Sequence, residues 1–235
     1  SEAELRPDQL KFREVYKELF ETNPTLSSGS CTEAAAKMGA RLKAAGFADS
    51  ELTYFSVPEH PKDGGVVAIL KGTSKTAKPM LLLGHLDVVE AKRADWTRDP
   101  FVLIEENGYI FGRGSEDNKF DVSMMVAAMA QLKKEGFKPK RSIILLLSGD
   151  EETSMTTTRA LAAKYKGAEF AWSGDGGGGL IGEDGKPKYY GLQAGEKTYA
   201  DFVLEVTNPG GHSSRPSATN AIVQLSNALA KVGAY

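Results

Sequence analysis

The sequence is poor in the residues that most often build metal sites and covalent cross-links. It has one cysteine in 235 residues, Cys31, which excludes an internal disulfide and a cysteine-rich zinc site. With only three histidines, any metal must be bound largely by aspartate and glutamate. No apolar run approaches the ~20 residues of a membrane span, and a formal net charge of −2 is not typical of proteins that bind nucleic acid or anionic lipid. We therefore expect neither a membrane nor a nucleic-acid partner.

The remaining composition is that of an ordinary globular protein, with 41% hydrophobic and 26% charged residues. The length suits one large domain, or one domain and part of another. The first residue is Ser1 rather than Met, so we expect that the chain has been processed or trimmed. Periplasmic, secreted and cytoplasmic locations all stay open. Cys31 has no recognisable base partner and is expected to be inert.

Strand and helix patterns alternate along the first 194 residues. Short apolar runs predict buried strands at 52–57, 65–70, 80–85, 142–147 and 169–173. Periodic apolar positions predict helices from Pro7, from a cap at Thr32, over 117–134 and over 153–165. A hairpin is predicted over 101–114, turning at 107–108. This alternation predicts an α/β fold with a mixed, mostly parallel sheet flanked by helices.

The pattern changes near residue 195. Residues 197–206 alternate loosely between apolar and polar side chains, which predicts a half-exposed strand, and a helix follows Pro216. One strand and one helix cannot enclose a core of their own. We therefore expect residues 1–194 to form the N-terminal part of one domain. Residues 195–235 are expected to begin a smaller α+β domain that this chain does not complete.

The strand predicted at 80–85 ends in a histidine, His85, and Asp87 follows two residues later. In α/β sheets the reactive groups gather at the carboxyl ends of the strands. Taken alone, His85 fits a structural role equally well. Further acidic sites, however, follow small-residue turns at the ends of later strands or the starts of helices: Asp117, Asp150-Glu151-Glu152 and Asp175.

Several carboxylates at one sheet edge would repel one another and raise each other's pKa values. A divalent cation neutralises such a cluster, and mixed histidine and carboxylate ligation suits zinc. A bridging carboxylate would hold two zinc ions about 3.5–4 Å apart. Since adjacent Glu151 and Glu152 cannot point the same way, one can bind metal while the other acts as general base beside a metal-bound water. The alternative is that these acidic residues lie at helix N-termini and only complement the helix dipoles. That explanation would suffice for one such site, but it does not suit four sites at strand ends.

Five motifs, in order, resemble the aminoacylase/carboxypeptidase family of di-zinc metallopeptidases, which includes glutamate carboxypeptidase, carnosine-type dipeptidases and succinyl-diaminopimelate desuccinylase. They are GHLDVV, DW followed by DPF, GRGSEDNK, GDEET and GGHSSRP, and they extend over essentially the whole chain. The resemblance implies a zinc-dependent hydrolase of amide or peptide bonds that acts on small peptides or N-acyl amino acids. It also implies a catalytic domain interrupted by a lid domain, through which the full-length protein would form a homodimer.

The resemblance implies a metal-binding role for four residues. His85 and Asp175 would bind one zinc, Glu152 would bind the other, and Asp117 would bridge both, with Co²⁺ or Mn²⁺ as substitutes. The peptide bond after the bridging aspartate, between Asp117 and Asn118, would be cis.

Three further residues receive roles from the same resemblance. Glu151 would be the general base, and Asp87 would orient the histidine ligand. His212, in the lid motif, would stabilise the oxyanion in a neighbouring subunit's active site. The alternative for His212 is a polar turn residue beside two glycines.

The sequence departs from the family pattern in two ways. Phe120 stands where the family often has glycine, which is expected to alter the rim of the site. The family's further histidine ligand, from a late segment, has no counterpart, since His60 lies in a proline-flanked loop expected at the surface. An inactive fragment, or a binding or regulatory homologue, is therefore the alternative to an enzyme. The presence of Glu151 favours catalysis, because a protein that only binds metal would not need a second glutamate there.

Overall fold

The computed structural model describes residues 4–235, which divide into two compact units. The first unit ends at Leu192, and the second spans Gln193–Tyr235. Within residues 4–235, no helix has both the length and the apolar character needed to cross a bilayer.

The helices of the first unit are α1 (Pro7–Phe20), α2 (Cys31–Ala44), α3 (Lys119–Lys134) and α4 (Thr156–Tyr165). Its longer strands are β1 (Leu52–Val57), β2 (His60–Leu70), β3 (Met80–His85), β6 (Ile143–Ser148) and β7 (Phe170–Ser173). Two small hairpins add β4 (Glu105–Glu106) with β5 (Tyr109–Ile110), and β8 (Gly178–Ile181) with β9 (Pro187–Gly191).

The longer strands form one sheet in the order β1-β2-β6-β3-β7. Strand β2 is antiparallel to both of its neighbours, whereas β3 is parallel to β6 and to β7. All strands of this sheet except β2 therefore run in the same direction. The predicted architecture, a mixed and mostly parallel sheet flanked by helices, is confirmed.

Helices cover both faces of the sheet. Leu145 and Leu147 of β6 enter a core with residues of α1, α2 and α3, while Ile144 and Leu146 pack with Leu161 of α4. Successive side chains of a strand point to opposite faces, so a strand covered on both faces must be apolar at every position. This explains the uninterrupted apolar run in β6.

The cap of α2 differs from the prediction. Ser30, not Thr32, caps the helix, because its hydroxyl oxygen accepts the Glu33 N–H at 3.2 Å. The Thr32 hydroxyl instead donates to Pro61 O at 2.7 Å and accepts the Gly64 N–H at 3.0 Å. Thr32 thus lies inside the first turn and joins α2 to β2. Serine and threonine are both good N-caps. The bonds of Thr32 to Pro61 and Gly64, which are distant in sequence, therefore decided that Ser30 is the cap.

Other element boundaries also differ from the prediction, most of all that of β2, which begins at His60 rather than at 65. Helix α3 begins at Lys119 rather than at 117, and α4 begins at Thr156 rather than at 153. The predicted hairpin keeps its turn at Asn107 and Gly108, both with positive φ, but its strands have only two residues each. The hairpin of β8 and β9 was not predicted, because a strand that starts with two glycines carries little sequence signal.

The second unit contains one helix, α5 (Ala221–Ala234), as predicted. Asn220 caps it by accepting the Ile222 N–H at 2.8 Å. The strand predicted at 197–206 is wrong, since residues 193–220 have no regular secondary structure. A strand needs a neighbour to satisfy its backbone hydrogen bonds, and no described strand pairs with this segment.

Candidate active site

The carboxyl ends of three adjacent parallel strands bring the predicted site residues together. His85 is the last residue of β3, Glu151 and Glu152 follow β6, and Asp175 follows β7. Parallel strands end at the same edge of a sheet, which places these side chains side by side. Asp117 reaches the same edge from the loop before α3.

Gly84 allows the start of α3 to approach β3 closely. A Cβ atom at this position would lie 2.8 Å from Val122 Cγ2 and 3.1 Å from Asn118 Oδ1. Asn118 Oδ1 accepts the backbone N–H of His85 at 3.3 Å. The glycine before the histidine therefore lets Asp117 lie against the strand end. The Asp117–Asn118 peptide bond is cis, as the resemblance implies.

Two overlapping groups of potential metal ligands meet at His85. Its Nε2 lies 2.9 Å from Asp117 Oδ1 and 3.7 Å from Asp175 Oδ1. Ligand atoms of His85, Asp117 and Glu152 all lie within 4.8 Å of one another, and so do those of His85, Glu151 and Asp175. The two adjacent glutamates thus belong to different groups. The His85 side chain is 3% exposed and that of Asp117 is 62% exposed, so the carboxylate side of the site faces solvent.

Asp87 connects the histidine to the glutamate turn. The carboxylate of Asp87, which is buried, accepts the backbone N–H groups of Glu151 at 3.0 Å and Glu152 at 2.8 Å. Its Oδ1 also lies 3.4 Å from His85 Nδ1. The sequence predicted the contact with the histidine but not the contact with the glutamates.

Asp150 lies away from both ligand groups, although the sequence placed it beside the two glutamates. It is fully buried, and its carboxylate accepts hydrogen bonds from Ser154 Oγ at 2.8 Å, Thr157 N at 2.9 Å and Thr158 N at 3.3 Å. The Thr157 hydroxyl donates to it as well. The hydroxyl residues of 153–158, interrupted only by Met155, were the available signal for this capping role.

The electrostatics of the site favour a bound cation. Burial, together with the neighbouring carboxylates, raises the pKa of Glu151, Glu152 and Asp175 above the usual range. Burial alone would lower the pKa of His85, but Asp87, Asp175 and Asp117 raise it to about 10. Clustered carboxylates of this kind are stabilised by a divalent ion, and one imidazole with carboxylate oxygens is a donor set that suits zinc. The residues present therefore fit a metal centre.

Lys119 and Phe120 follow Asp117 closely in sequence but belong to neither ligand group. Lys119 is fully buried, and burial lowers its pKa to about 7. The Phe120 ring packs edge-on against Phe12 and Tyr16, with centroids 5.2 and 5.8 Å away. Phe120 also lines a cavity of about 710 Å³ that reaches Asp117. Its effect on the rim of the site stays a prediction.

Three residues discussed from the sequence lie outside both ligand groups. His60 is exposed, but it is the first residue of β2 rather than part of a loop, because it pairs with Val57 of β1. Cys31 is buried, its thiol donates to Pro24 O at 3.3 Å, and burial raises its pKa. His212 belongs to the second unit, where its Nδ1 accepts the Ser214 N–H at 3.2 Å. The proposed role of His212 stays a prediction.

The fold of this chain is similar to the folds of solved structures. Human carnosine dipeptidase 1 matches with a TM-score of 0.58 at 24% identity, over 72% of this chain and 39% of that one. A metallo-carboxypeptidase of the M20 family from Sulfolobus solfataricus matches with a TM-score of 0.59 at 21% identity, over 78% of this chain and 40% of that one. At these identities the likeness concerns the fold.

The sequence of this chain is also similar to those of known hydrolases and carboxypeptidases. The N-fatty-acyl-amino acid synthase/hydrolase of Mus musculus is 33% identical over 170 residues, covering 69% of this chain and 34% of the relative. Carboxypeptidase S of Saccharomyces cerevisiae is 32% identical over 181 residues, covering 71% and 31%. The chain spans about a third of the length of these relatives. Residues 81–233 match the family described as Peptidase family M20/M25/M40. This matched range includes every candidate ligand. The chain therefore belongs to peptidase family M20/M25/M40.

Proposed function

We propose that this chain carries the catalytic centre of a zinc-dependent hydrolase that cleaves amide bonds in small peptides or N-acyl amino acids. The observation that carries the proposal is the convergence of His85 with two aspartates and two glutamates at one sheet edge. The names of the relatives, an N-fatty-acyl-amino acid synthase/hydrolase and a carboxypeptidase, support this substrate class.

Four side chains are the proposed ligands of two zinc ions, for which Co²⁺ or Mn²⁺ would substitute. His85 and Asp175 would hold one ion and Glu152 the other, with Asp117 shared between them. Bound zinc would polarise the scissile carbonyl and lower the pKa of a water molecule in the site.

Asp87 prepares His85 for this role. The Nδ1 atom of His85 faces two acceptors, Asp87 Oδ1 at 3.4 Å and the Asp87 backbone O at 3.0 Å. Both acceptors favour the tautomer with its proton on Nδ1. A metal ion that displaces the proton from Nε2 would then meet a lone pair directed towards Asp117 and Asp175.

Glu151 is the proposed general base. It would take a proton from the attacking water and deliver it to the leaving nitrogen. Burial raises its pKa, and so do the carboxylates of Asp175, Asp87 and Asp117. Its carboxylate lies near His85 and Asp175, whereas that of Glu152 lies near His85 and Asp117, so the two glutamates reach different parts of the site.

His212 is the proposed oxyanion donor, acting in the site of a second copy of the protein in a homodimer. Negative charge develops on the carbonyl oxygen during attack, and a donor placed there stabilises the transition state more than the substrate. The motif that carries His212 also provides serine and arginine side chains for further polar contacts.

Metal content and hydrolysis test the proposal together. The intact protein should bind two zinc ions, Asp117→Ala should weaken both sites, and His85→Ala should chiefly weaken one. Amide cleavage should appear in a panel of N-acyl amino acids and dipeptides analysed by mass spectrometry, disappear with a chelator and return with zinc. Only trace divalent metal in the folded protein would refute the metal centre. Zinc binding without hydrolysis of any panel member would favour an inactive fragment or a binding or regulatory homologue.

A further inference from the structure

Lys119 is a buried lysine that donates hydrogen bonds to backbone carbonyls rather than to a carboxylate. Its exposure is 0%, and lysine is almost never fully buried unless it is paired. Its Nζ donates to Phe20 O and Thr22 O, both at 2.9 Å. The same nitrogen lies 4.8 Å from the centroid of the Phe101 ring.

The two carbonyls that receive these bonds lie at the end of α1. Phe20 is the last residue of that helix, and Thr22 follows its cap. The last carbonyls of a helix have no partner within the helix and carry partial negative charge. Lys119 therefore caps α1 from a position 99 residues away in sequence. A lysine amine retains N–H donors in both its charged and its neutral form.

Helix α1 also holds the chain on the other side of Asp117. The Tyr16 hydroxyl donates to Ser115 O at 2.6 Å. Gly112 lies directly against Phe20, since a Cβ at that glycine would be 2.2 Å from Phe20 Cζ. The loop that carries Asp117 is thus attached to α1 both before and after the aspartate.

Asp117 depends on such attachment because its own side chain is little restrained. That side chain is 62% exposed, and its short contact is with His85 Nε2 at 2.9 Å. An exposed side chain retains rotamer freedom, so a ligand of this kind needs its backbone held in place if it is to meet its target.

We propose that Lys119 is a positioning residue of the metal centre: with Tyr16, it fixes the backbone of Asp117 against the end of α1 so that the aspartate can serve both ions. This inference rests on the metal centre of the proposed function.

The sign of the expected effect separates positioning from simple electrostatics. A cation near a metal site repels the metal, so loss of the Lys119 charge by itself would leave zinc affinity unchanged or increase it. Loss of a positioning contact decreases zinc affinity instead, typically by about 10-fold to 100-fold for groups that orient ligands.

Lys119→Met and a matched control, Lys133→Met, test the inference. Lys133 lies on the same helix, its Nζ is 4.9 Å from the centroid of the Phe47 ring, and it pairs with Glu51 away from the site. Zinc affinity is measured by competition with a chromophoric chelator, and the stability of the metal-free protein by urea unfolding. We expect Lys119→Met to weaken both zinc sites by about 10-fold to 100-fold, because Asp117 serves both, while Lys133→Met leaves zinc affinity unchanged. The visible spectrum of the Co²⁺ form should change only in Lys119→Met.

The remaining outcomes also decide the question. Zinc affinity in Lys119→Met that equals or exceeds that of Lys133→Met overturns the inference alone. Absence of zinc binding by the unaltered protein overturns the proposed function and this inference with it. If metal-free Lys119→Met does not fold, Tyr16→Phe decides, since it removes only the hydroxyl that donates to Ser115. Weaker zinc binding in Tyr16→Phe supports the anchoring of the loop by α1, and unchanged binding refutes it.

Discussion

At the scale of single residues, the site depends on how Asp87 divides its hydrogen bonds. One carboxylate accepts two consecutive backbone N–H groups, those of Glu151 and Glu152, and also faces the imidazole of His85. Because the backbone of the two glutamates is held in this way, their side chains extend to different ligand groups. A single buried aspartate thus sets the relative positions of a proposed base and two proposed ligands.

Glu151→Gln should abolish turnover and retain zinc. The amide is nearly the same shape as the carboxylate but cannot accept the proton, and loss of a general base typically costs about 10²-fold to 10⁴-fold in kcat. Steady-state kinetics and elemental analysis on the same preparation check this. Glu152→Gln serves as the control, because it should lose zinc as well as activity. Near-normal turnover in Glu151→Gln would mean that Glu152 is the base.

Asp87→Asn should weaken zinc binding without removing any ligand. An asparagine keeps one acceptor oxygen, but its NH₂ group would face either a backbone N–H or the Nδ1 proton of His85, where a second acceptor is required. We expect zinc affinity to fall by about 10-fold to 100-fold, measured by chelator competition. Asp95→Asn, a change outside both ligand groups, provides the comparison. Equal affinity in the two variants would argue against a positioning role for Asp87.

At the scale of secondary structure, Asp150 links the end of β6 to the start of α4. Its buried carboxylate accepts bonds from Ser154, Thr157 and Thr158, which are residues of the turn and the first helical turn of α4. The two glutamates lie between the strand and this turn. The bonds of Asp150 at the junction of β6 and α4 therefore help to fix the positions of Glu151, the proposed base, and Glu152, a proposed ligand.

Asp150→Ala should destabilise the fold by about 2–4 kcal/mol, because it leaves several buried donors without an acceptor. Ser154→Ala removes one of these bonds and should cost about 1 kcal/mol. Urea unfolding of the metal-free proteins, with the m-value compared between variants, measures both. A loss in Asp150→Ala no greater than that in Ser154→Ala would show that the network contributes little to stability.

At the scale of the whole molecule, the proposed residues are distributed over both compact units. The proposed ligands and Glu151 lie in the unit that ends at Leu192, whereas His212 lies in Gln193–Tyr235. The proposal that His212 acts in a second copy therefore predicts that activity depends on association.

His212→Ala should lower kcat by about 10²-fold, as expected for loss of an oxyanion donor, with zinc content unchanged. Mixing inactive Glu151→Gln chains with His212→Ala chains should restore part of the activity, since a mixed dimer has one site with both groups intact. Kinetics of the separate and mixed variants, with sedimentation to determine the oligomeric state, check this. Loss of zinc would make His212 a ligand, and unchanged kcat would make it a turn residue.

The sequence by itself determined the features that depend on local pattern. The apolar runs at 80–85 and 142–147 specified strands covered on both faces, because a strand with two buried faces must be apolar throughout. It followed that His85, Glu151 and Asp175 would meet at one sheet edge, since parallel strands place their carboxyl ends together. Motif order was enough to indicate the family.

Only the tertiary structure decided which hydrogen-bond partners the polar side chains have. Asp150 and Glu151 are neighbours with similar side chains, yet one faces the hydroxyl groups of α4 and the other the histidine of β3. Lys119 reaches carbonyls 97 and 99 residues away, and Thr32 bonds to β2 instead of capping α2. The segment 197–206 has the alternation of a strand but no strand to pair with in the described chain. Hydrogen-bond partners distant in sequence become known only when the elements are packed, because local periodicity specifies which face is apolar but not what that face will meet.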